Sequence, residues 1–157
     1  METRLEVIDY IPMNVLVRVE QSSDAAAIDH VLKSAFPTDQ EARLVRRLRN
    51  HQQLRLSLVA EIDGMVVGHI GFSEVTIARS IARSIGLALA PLSIVPELQR
   101  RGLGAQLIGE GLSACERRGA GFVVVLGEPE YYHRFGFRSA ESFGLEMNTA
   151  LVKHLWR

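Results

Sequence analysis

Apolar positions change period several times along the chain, and each change marks an element. Asn14–Glu20 (NVLVRVE) alternates apolar with polar residues and predicts a first strand. SSDAAAIDHVLKSAF switches to helical spacing, with Ala27, Ile28, Val31, Leu32 and Ala35 on one face and Ser22 or Ser23 as cap. Pro37 ends that helix. TDQEARLVRRLRN predicts a second helix, capped by Thr38 with Glu41 three residues on, in the pattern of a capping box. Leu44, Val45 and Leu48 are its apolar positions, and Arg43, Arg46, Arg47 and Arg49 face solvent or a ligand.

The period then drops to that of strands. Asp63-Gly64 separates two apolar runs, so Leu56–Ile62 and Met65–Ile77 are expected to pair antiparallel around a tight turn. Ile85–Pro96 reads as a long buried strand with an interruption or bulge at Pro91, because proline cannot donate to a ladder. A helix from about Arg101 to Arg118 follows. Leu103, Leu107, Ile108, Leu112 and Cys115 form its apolar stripe, and Gly119 and Gly121 close it. FVVVLG is short and continuously apolar, as in the middle of a covered sheet. EPEYYHRF predicts a short helix with Pro129 in its first turn, and GFRSAESFGLEM returns as extended chain. TALVKHLWR reads as a helical turn or a frayed end. The order is α/β, antiparallel in its first half, with a parallel crossover around the Arg101–Arg118 helix. Residues 1–13 read as an N-terminal leader and 14–157 as a single domain.

Charge removes some function classes. Lys+Arg and Asp+Glu both number 18, so no global field favours nucleic acid or an anionic membrane, and an anion site must be local. The one cysteine, Cys115, allows no intrachain disulfide and no cysteine-based zinc site; no metal is expected. Its place on the helix stripe reads as a small buried hydrophobe, which argues against an acyl-cysteine. The N-terminus lacks the apolar core of a signal peptide, and no segment approaches the roughly 20 apolar residues of a membrane span. A cytoplasmic protein is expected, with a homodimer left open.

The local anion site is LQRRGLGAQL, Leu98–Leu107. Strand, Pro96, turn and helix follow one another there, and a helix N-terminus offers unpaired N–H groups to phosphate. Gly102 and Gly104 permit close backbone approach, while Arg100 and Arg101 add charge. The P-loop pattern fails for want of its Lys-Ser/Thr pair. The dinucleotide pattern GxGxxG fails at its third glycine, where Leu107 stands. The pattern [RQ]xxGx[GA] is met in full by Gln99-Arg100-Arg101-Gly102-Leu103-Gly104.

With that pattern the chain resembles the GNAT superfamily of acetyl-CoA-dependent N-acetyltransferases. PLSIVPELQRRGLGAQLIGEGL followed by VVVLGEPEYYHRFGF is similar to bacterial predicted acetyltransferases of the YhbS type, over roughly Val15 to Leu145. The resemblance implies a GNAT fold: a mixed central sheet of about six to seven strands, splayed in a V between the fourth and fifth, with about four flanking helices. It implies that Leu92, Ser93, Ile94 and Val95 meet the pantetheine arm of acetyl-CoA, the acyl donor. It implies that Gln99, Arg100, Arg101, Gly102, Leu103, Gly104 and Ala105 cradle the pyrophosphate. Pro91 would mark the bulge that opens the slot. A backbone N–H near Ile94 would polarise the thioester carbonyl. Tyr132, four residues before Gly136, stands where the family places the acid for the leaving thiolate.

The base is less defined, because LALAPLSIVP carries no carboxylate. Glu128, just past the next strand, is the first choice, ahead of Glu74 and His69. The implied reaction is acetyl transfer to a primary amine, of a small molecule or a protein, by direct attack. The alternative is a non-catalytic acyl-CoA-binding sensor or subunit. The chain stops soon after Met147, so the last strand is expected to be short or supplied by a partner.

Overall fold

The computed structural model describes residues 14–75, 86–139 and, as backbone, 154–156. The expected leader, the ARSIARS connection and residues 140–153 lie outside the described residues. Seven strands form one sheet in the order β1-β2-β3-β4-β5-β7-β6. The five longer ones are β1 (Val15–Val19), β2 (Leu54–Ile62), β3 (Met65–Val75), β4 (Gly86–Ile94) and β5 (Phe122–Val125). Two short ones, β6 (Arg138–Ser139) and β7 (His154–Trp156), complete it. The helices are α1 (Ala25–Ala35), α2 (Gln40–Asn50), α3 (Leu103–Arg117) and α4 (Pro129–His133). This is the expected α/β architecture, with its mixed sheet and four helices.

Local chemistry explains most of the order. The β2–β3 turn holds Asp63 at φ +50° and Gly64 at φ +79°, the paired positive angles a two-residue hairpin demands. Alternation along β2 then sends side chains to two cores. Leu56, Leu58 and Ala60 join the α3 stripe of Leu103, Leu107, Ile108, Leu112 and Cys115. Val59 points the other way, into a smaller core with Ile28 and Leu32 of α1 and Ala42 and Val45 of α2. The sheet therefore separates α3 from the α1–α2 pair. Phe122–Val125 is buried throughout, as its uninterrupted apolar run requires.

The caps differ from expectation. Ser22 and Ser23 lie inside a single 3₁₀ turn, and α1 starts after Asp24. Asp24 accepts from the Gln21 N–H at 2.7 Å and from the Arg18 guanidinium, which fixes the 3₁₀ turn, and no side chain caps α1 itself. The second helix is flanked by Asp39, with Thr38 Oγ1 accepting from the Gln40 N–H at 3.4 Å. Glu41 is thus one position too early to close a capping box.

The chain's end corrects a larger point. His154–Trp156 is neither a helical turn nor a frayed end. It forms β7, antiparallel to β5 on one side and to β6 on the other. Buried β5 pairs with β4 on one edge only, and its other row of N–H and C=O groups needs partners. The last strand comes from this chain itself, so no partner has to supply it.

Candidate active site

The sheet opens at one place. β4 and β5 run parallel and pair from Gly86↔Phe122 to Leu89↔Val125, where the ladder stops. Immediately beyond, the β3–β4 register shifts between Ile70↔Leu92 and Phe72↔Leu89, so Ala90 and Pro91 stand opposite Gly71 alone. This is the bulge expected at Pro91. Past it β4 runs on to Ile94 without a β5 partner, and the slot is the space between that unpaired edge and the β5–α4 segment.

Backbone direction decides what β4 can offer that slot. The Val95 N–H donates to the Val67 carbonyl at 2.9 Å, so Val95 faces β3. By antiparallel alternation Ser93 does the same, while Leu92 and Ile94 turn their N–H and C=O groups to the open edge. The Ile94 carbonyl is taken at 3.0 Å by the Gln99 side-chain amide, which leaves the Ile94 N–H facing the slot. Gln99 is thus a strut that ties the turn to the end of β4.

The turn itself is bent at two positive-φ positions, Arg100 at +63° and Gly102 at +84°. Gly102 is the N-cap of α3, and a Cβ built there meets nothing within 4 Å. Leu103, 3% exposed, anchors the first turn in the core, while Arg100 and Arg101 are exposed. Open space therefore lies at the N-cap of a 15-residue helix, where N–H groups are unpaired, and two exposed arginines precede it in the chain. Gly104 and Ala105 are half-buried in that first turn. These residues fit a diphosphate.

Across the slot, α4 brings two tyrosines that part ways. Tyr132 is 9% exposed, edge-on to Phe137, and its ring lies so close to Gly127 that any Cβ there would clash. Burial, and Tyr131 beside it, push its phenol up to about 12. Tyr131 instead reaches the other wall: its hydroxyl lies 3.1 Å from where a Cβ on Gly104 would sit. Burial raises the Tyr131 phenol too, against the nearby Arg134. Sequence spacing favours Tyr132 but gives no sign that its neighbour bridges to the glycine turn. Glu128 flanks α4 with an exposed side chain where β5 ends.

The two other base candidates are far apart in character. Glu74 pairs with Arg55 at 2.6 Å on the surface. His69 is fully buried on β3, with its Nε2 2.8 Å from Ser57 Oγ. Three of the four α2 arginines are occupied within the chain, Arg43 by Asp39, Arg46 by Asp29 and Arg49 by Glu20. That removes most of the basic face the sequence offers to an acidic acceptor. Cys115 is fully buried, and burial pushes its thiol up to about 11, out of nucleophilic range. Among the described residues no cluster of three His, Cys, Asp or Glu side chains could hold a metal ion. No helix among them is long and apolar enough to cross a membrane.

Comparison with known proteins matches this geometry. The model of the acetyltransferase (GNAT) family matches residues 25–137. The uncharacterized N-acetyltransferase YhbS of Escherichia coli K12 is 41% identical over 127 residues, 80% of this chain and 75% of that protein. A second uncharacterized N-acetyltransferase of the same strain, YjhQ, is 38% identical over 121 residues, 76% of this chain and 67% of that protein. Among solved structures, Escherichia coli YhbS in complex with CoA superposes with a TM-score of 0.83 at 36% identity, covering 92% of this chain and 82% of that one. A GNAT family acetyltransferase from Brucella melitensis, in complex with acetyl-CoA, gives 0.75 at 39% identity over 81% of this chain and 84% of that one. On sequence and fold alike, this chain belongs to the GNAT acetyltransferase family.

Proposed function

We propose that the protein is a cytoplasmic enzyme that transfers the acetyl group of acetyl-CoA to a primary amine by direct attack, without an acyl-enzyme. One observation carries this reading. The β4–β5 ladder ends at Leu89↔Val125 while β4 runs on to Ile94, and that unpaired edge leads to a glycine turn with open space at Gly102 before α3. Gln99 to Ala105 would hold the pyrophosphate, with Gln99 bracing the turn and Arg100 and Arg101 supplying charge. The exposed backbone edges of Leu92 and Ile94 would align the pantetheine arm, while Ser93 and Val95 keep that strand fixed to β3.

Acetyl-CoA brings an activated acyl group, and the chain's residues supply position and polarity. The Ile94 N–H, left unused by β3, is placed to donate to the thioester carbonyl as negative charge grows on its oxygen. Tyr132 keeps its proton across the physiological range. A thiol ionises near about 8.5, so complete transfer from a phenol near 12 runs uphill. A donated hydrogen bond, more than a free proton, is how Tyr132 eases the sulfur's departure. Glu128, exposed at the mouth of the slot, offers the acceptor's ammonium a carboxylate.

The sensor alternative rests on the absent carboxylate and the short C-terminus; a β7 strand supplied by this chain beside β5 supports the transfer reading instead. Tyr132→Phe tests the transfer reading. Acetyl-CoA affinity should stay within about twofold while turnover falls roughly ten- to a hundredfold. An unchanged rate would take Tyr132 out of the mechanism.

A further inference from the structure

Among the described residues four buried side-chain atoms lack a hydrogen-bond partner, and two of them, His69 Nδ1 and Ser93 Oγ, belong to neighbouring strands of the sheet. Their residues sit directly opposite one another, His69 on β3 and Ser93 on β4, at 0% and 2% exposure. His69 also pairs with Val59 of β2, whose side chain lies in the α1–α2 core, so imidazole and hydroxyl both face that side. Orphaned polar atoms at such depth are rare in native proteins. Both lie where β4 bends. A Cβ on Gly71 would fall 3.4 Å from His69 Cε1 and 3.2 Å from the Ala90 carbonyl oxygen, so the ring edge borders the bulge beside the slot.

The other side of the ring is fully engaged, and the engagement fixes its tautomer. Ser57 Oγ lies 2.7 Å from Glu20 Oε2 and 2.8 Å from His69 Nε2. A carboxylate only accepts, so the single Ser57 proton is committed to Glu20. Ser57 Oγ must then accept from His69 Nε2–H. Arg49 holds Glu20 in place with Nε and Nη2 at 2.8 and 3.1 Å. A neutral ring so arranged carries no proton on Nδ1, and its lone pair points away from Ser57.

We infer that His69 takes the proton the acceptor amine sheds as the C–N bond forms, at Nδ1 and either directly or through the Ser93 hydroxyl, with Ser57 and Glu20 orienting the ring. The inference rests on the transfer reading above and gives His69, in place of Glu128, the proton released in bond formation, with Glu128 kept as the carboxylate that meets the incoming ammonium. The step balances. The amine's N–H bond breaks and its electron pair stays on nitrogen in the new amide. An Nδ1–H bond forms, and the resulting imidazolium, facing the Glu20 carboxylate through Ser57, returns the proton to water as products leave. Burial first, and the Arg49 charge second, hold the ring's pKa down at about 3, so its lone pair is available at every physiological pH. A weak base suffices, because a nitrogen already bonded to the acyl carbon is far more acidic than a free ammonium.

The test combines binding, rate and spectroscopy on His69→Gln, Ser57→Ala, Ser57→Thr and the unmutated protein. CoA release is followed with whichever of a polyamine, an amino sugar and a peptide N-terminus is used fastest, or with water where none is used. The expected result is acetyl-CoA affinity within twofold throughout, turnover down about a hundredfold in H69Q and about tenfold in S57A, and most of it restored in S57T. The ¹⁵N imidazole spectrum should show the Nε2–H tautomer in the unmutated protein and lose that bias in S57A, a change that mere packing would not produce. An unaltered H69Q rate, or an Nδ1–H tautomer, would overturn the assignment alone. Failure of the unmutated protein to bind acetyl-CoA would overturn the transfer reading and this inference with it.

Discussion

Gly102→Val should abolish acetyl-CoA binding while leaving a folded domain. At φ +84° a residue with a Cβ is strained by roughly 1–2 kcal/mol, and a branched one by somewhat more. In a domain of this size each kilocalorie lowers the melting temperature by about 2–4 °C, so the fold survives. Nothing stands within 4 Å of the new Cβ, so no clash adds to the strain. The isopropyl group would instead project into the open space at the α3 N-cap, the space a diphosphate must enter. Affinity should drop at least about a hundredfold, roughly the loss of one charge-assisted contact or more. Gly102→Ala carries similar strain with a smaller obstruction and should fall between. Calorimetry with a parallel melting curve separates the effects. Undiminished binding by G102V would show that the turn is not the cradle.

The second large effect concerns acid stability. The unfolded chain's histidine titrates near 6.5, whereas folded His69 is held at about 3. Between those values the unfolded state binds the extra proton, so stability rises with pH. The contribution is complete above about 6.5 and is lost progressively as pH falls toward 3. Between pH 7 and 4.5 it amounts to roughly 2–3 kcal/mol at about 1.4 kcal/mol per pH unit. Asp24, whose carboxyl the Arg18 hydrogen bond holds below its usual range, acts only at lower pH. Urea midpoints at pH 7 and 4.5 should therefore diverge for the unmutated protein and come closer together in H69Q. Equal pH dependence in the two would mean that the ring is not held neutral by burial.

How much of this was legible beforehand depends on the range of the interaction. The Asp63-Gly64 hairpin, the α3 stripe, the bulge at Pro91 and the short α4 each follow from residues within a turn or two of one another. The glycine turn was legible because its chemistry is contained in six consecutive residues. The failures are long-range. β7 carries too few residues for a period to show, and only the open edge of β5 requires it. The Glu20–Ser57–His69 chain joins the residue that follows β1 to one on β2 and one on β3, the farthest of them 49 apart. No spacing rule picks out Ser57, although His69 alternating with glycine and isoleucine gave a weak hint. The split between the tyrosines is tertiary too. Tyr131 and Tyr132 are adjacent in sequence, and only the closeness of Gly104 to one and Gly127 to the other separates their positions. Which β4 residues offer their backbone to the slot is set by the β3 register, invisible in the β4 sequence alone.

The central claim is that the slot between β4 and β5, with its glycine turn, is built for the acyl-CoA donor. Titrating the purified protein calorimetrically with acetyl-CoA, with NADH and ATP as controls, tests this most directly. The account predicts one site per chain with affinity on the order of micromolar for acetyl-CoA and no comparable heat from either control. Absence of acetyl-CoA binding, or equal binding of NADH, would contradict it.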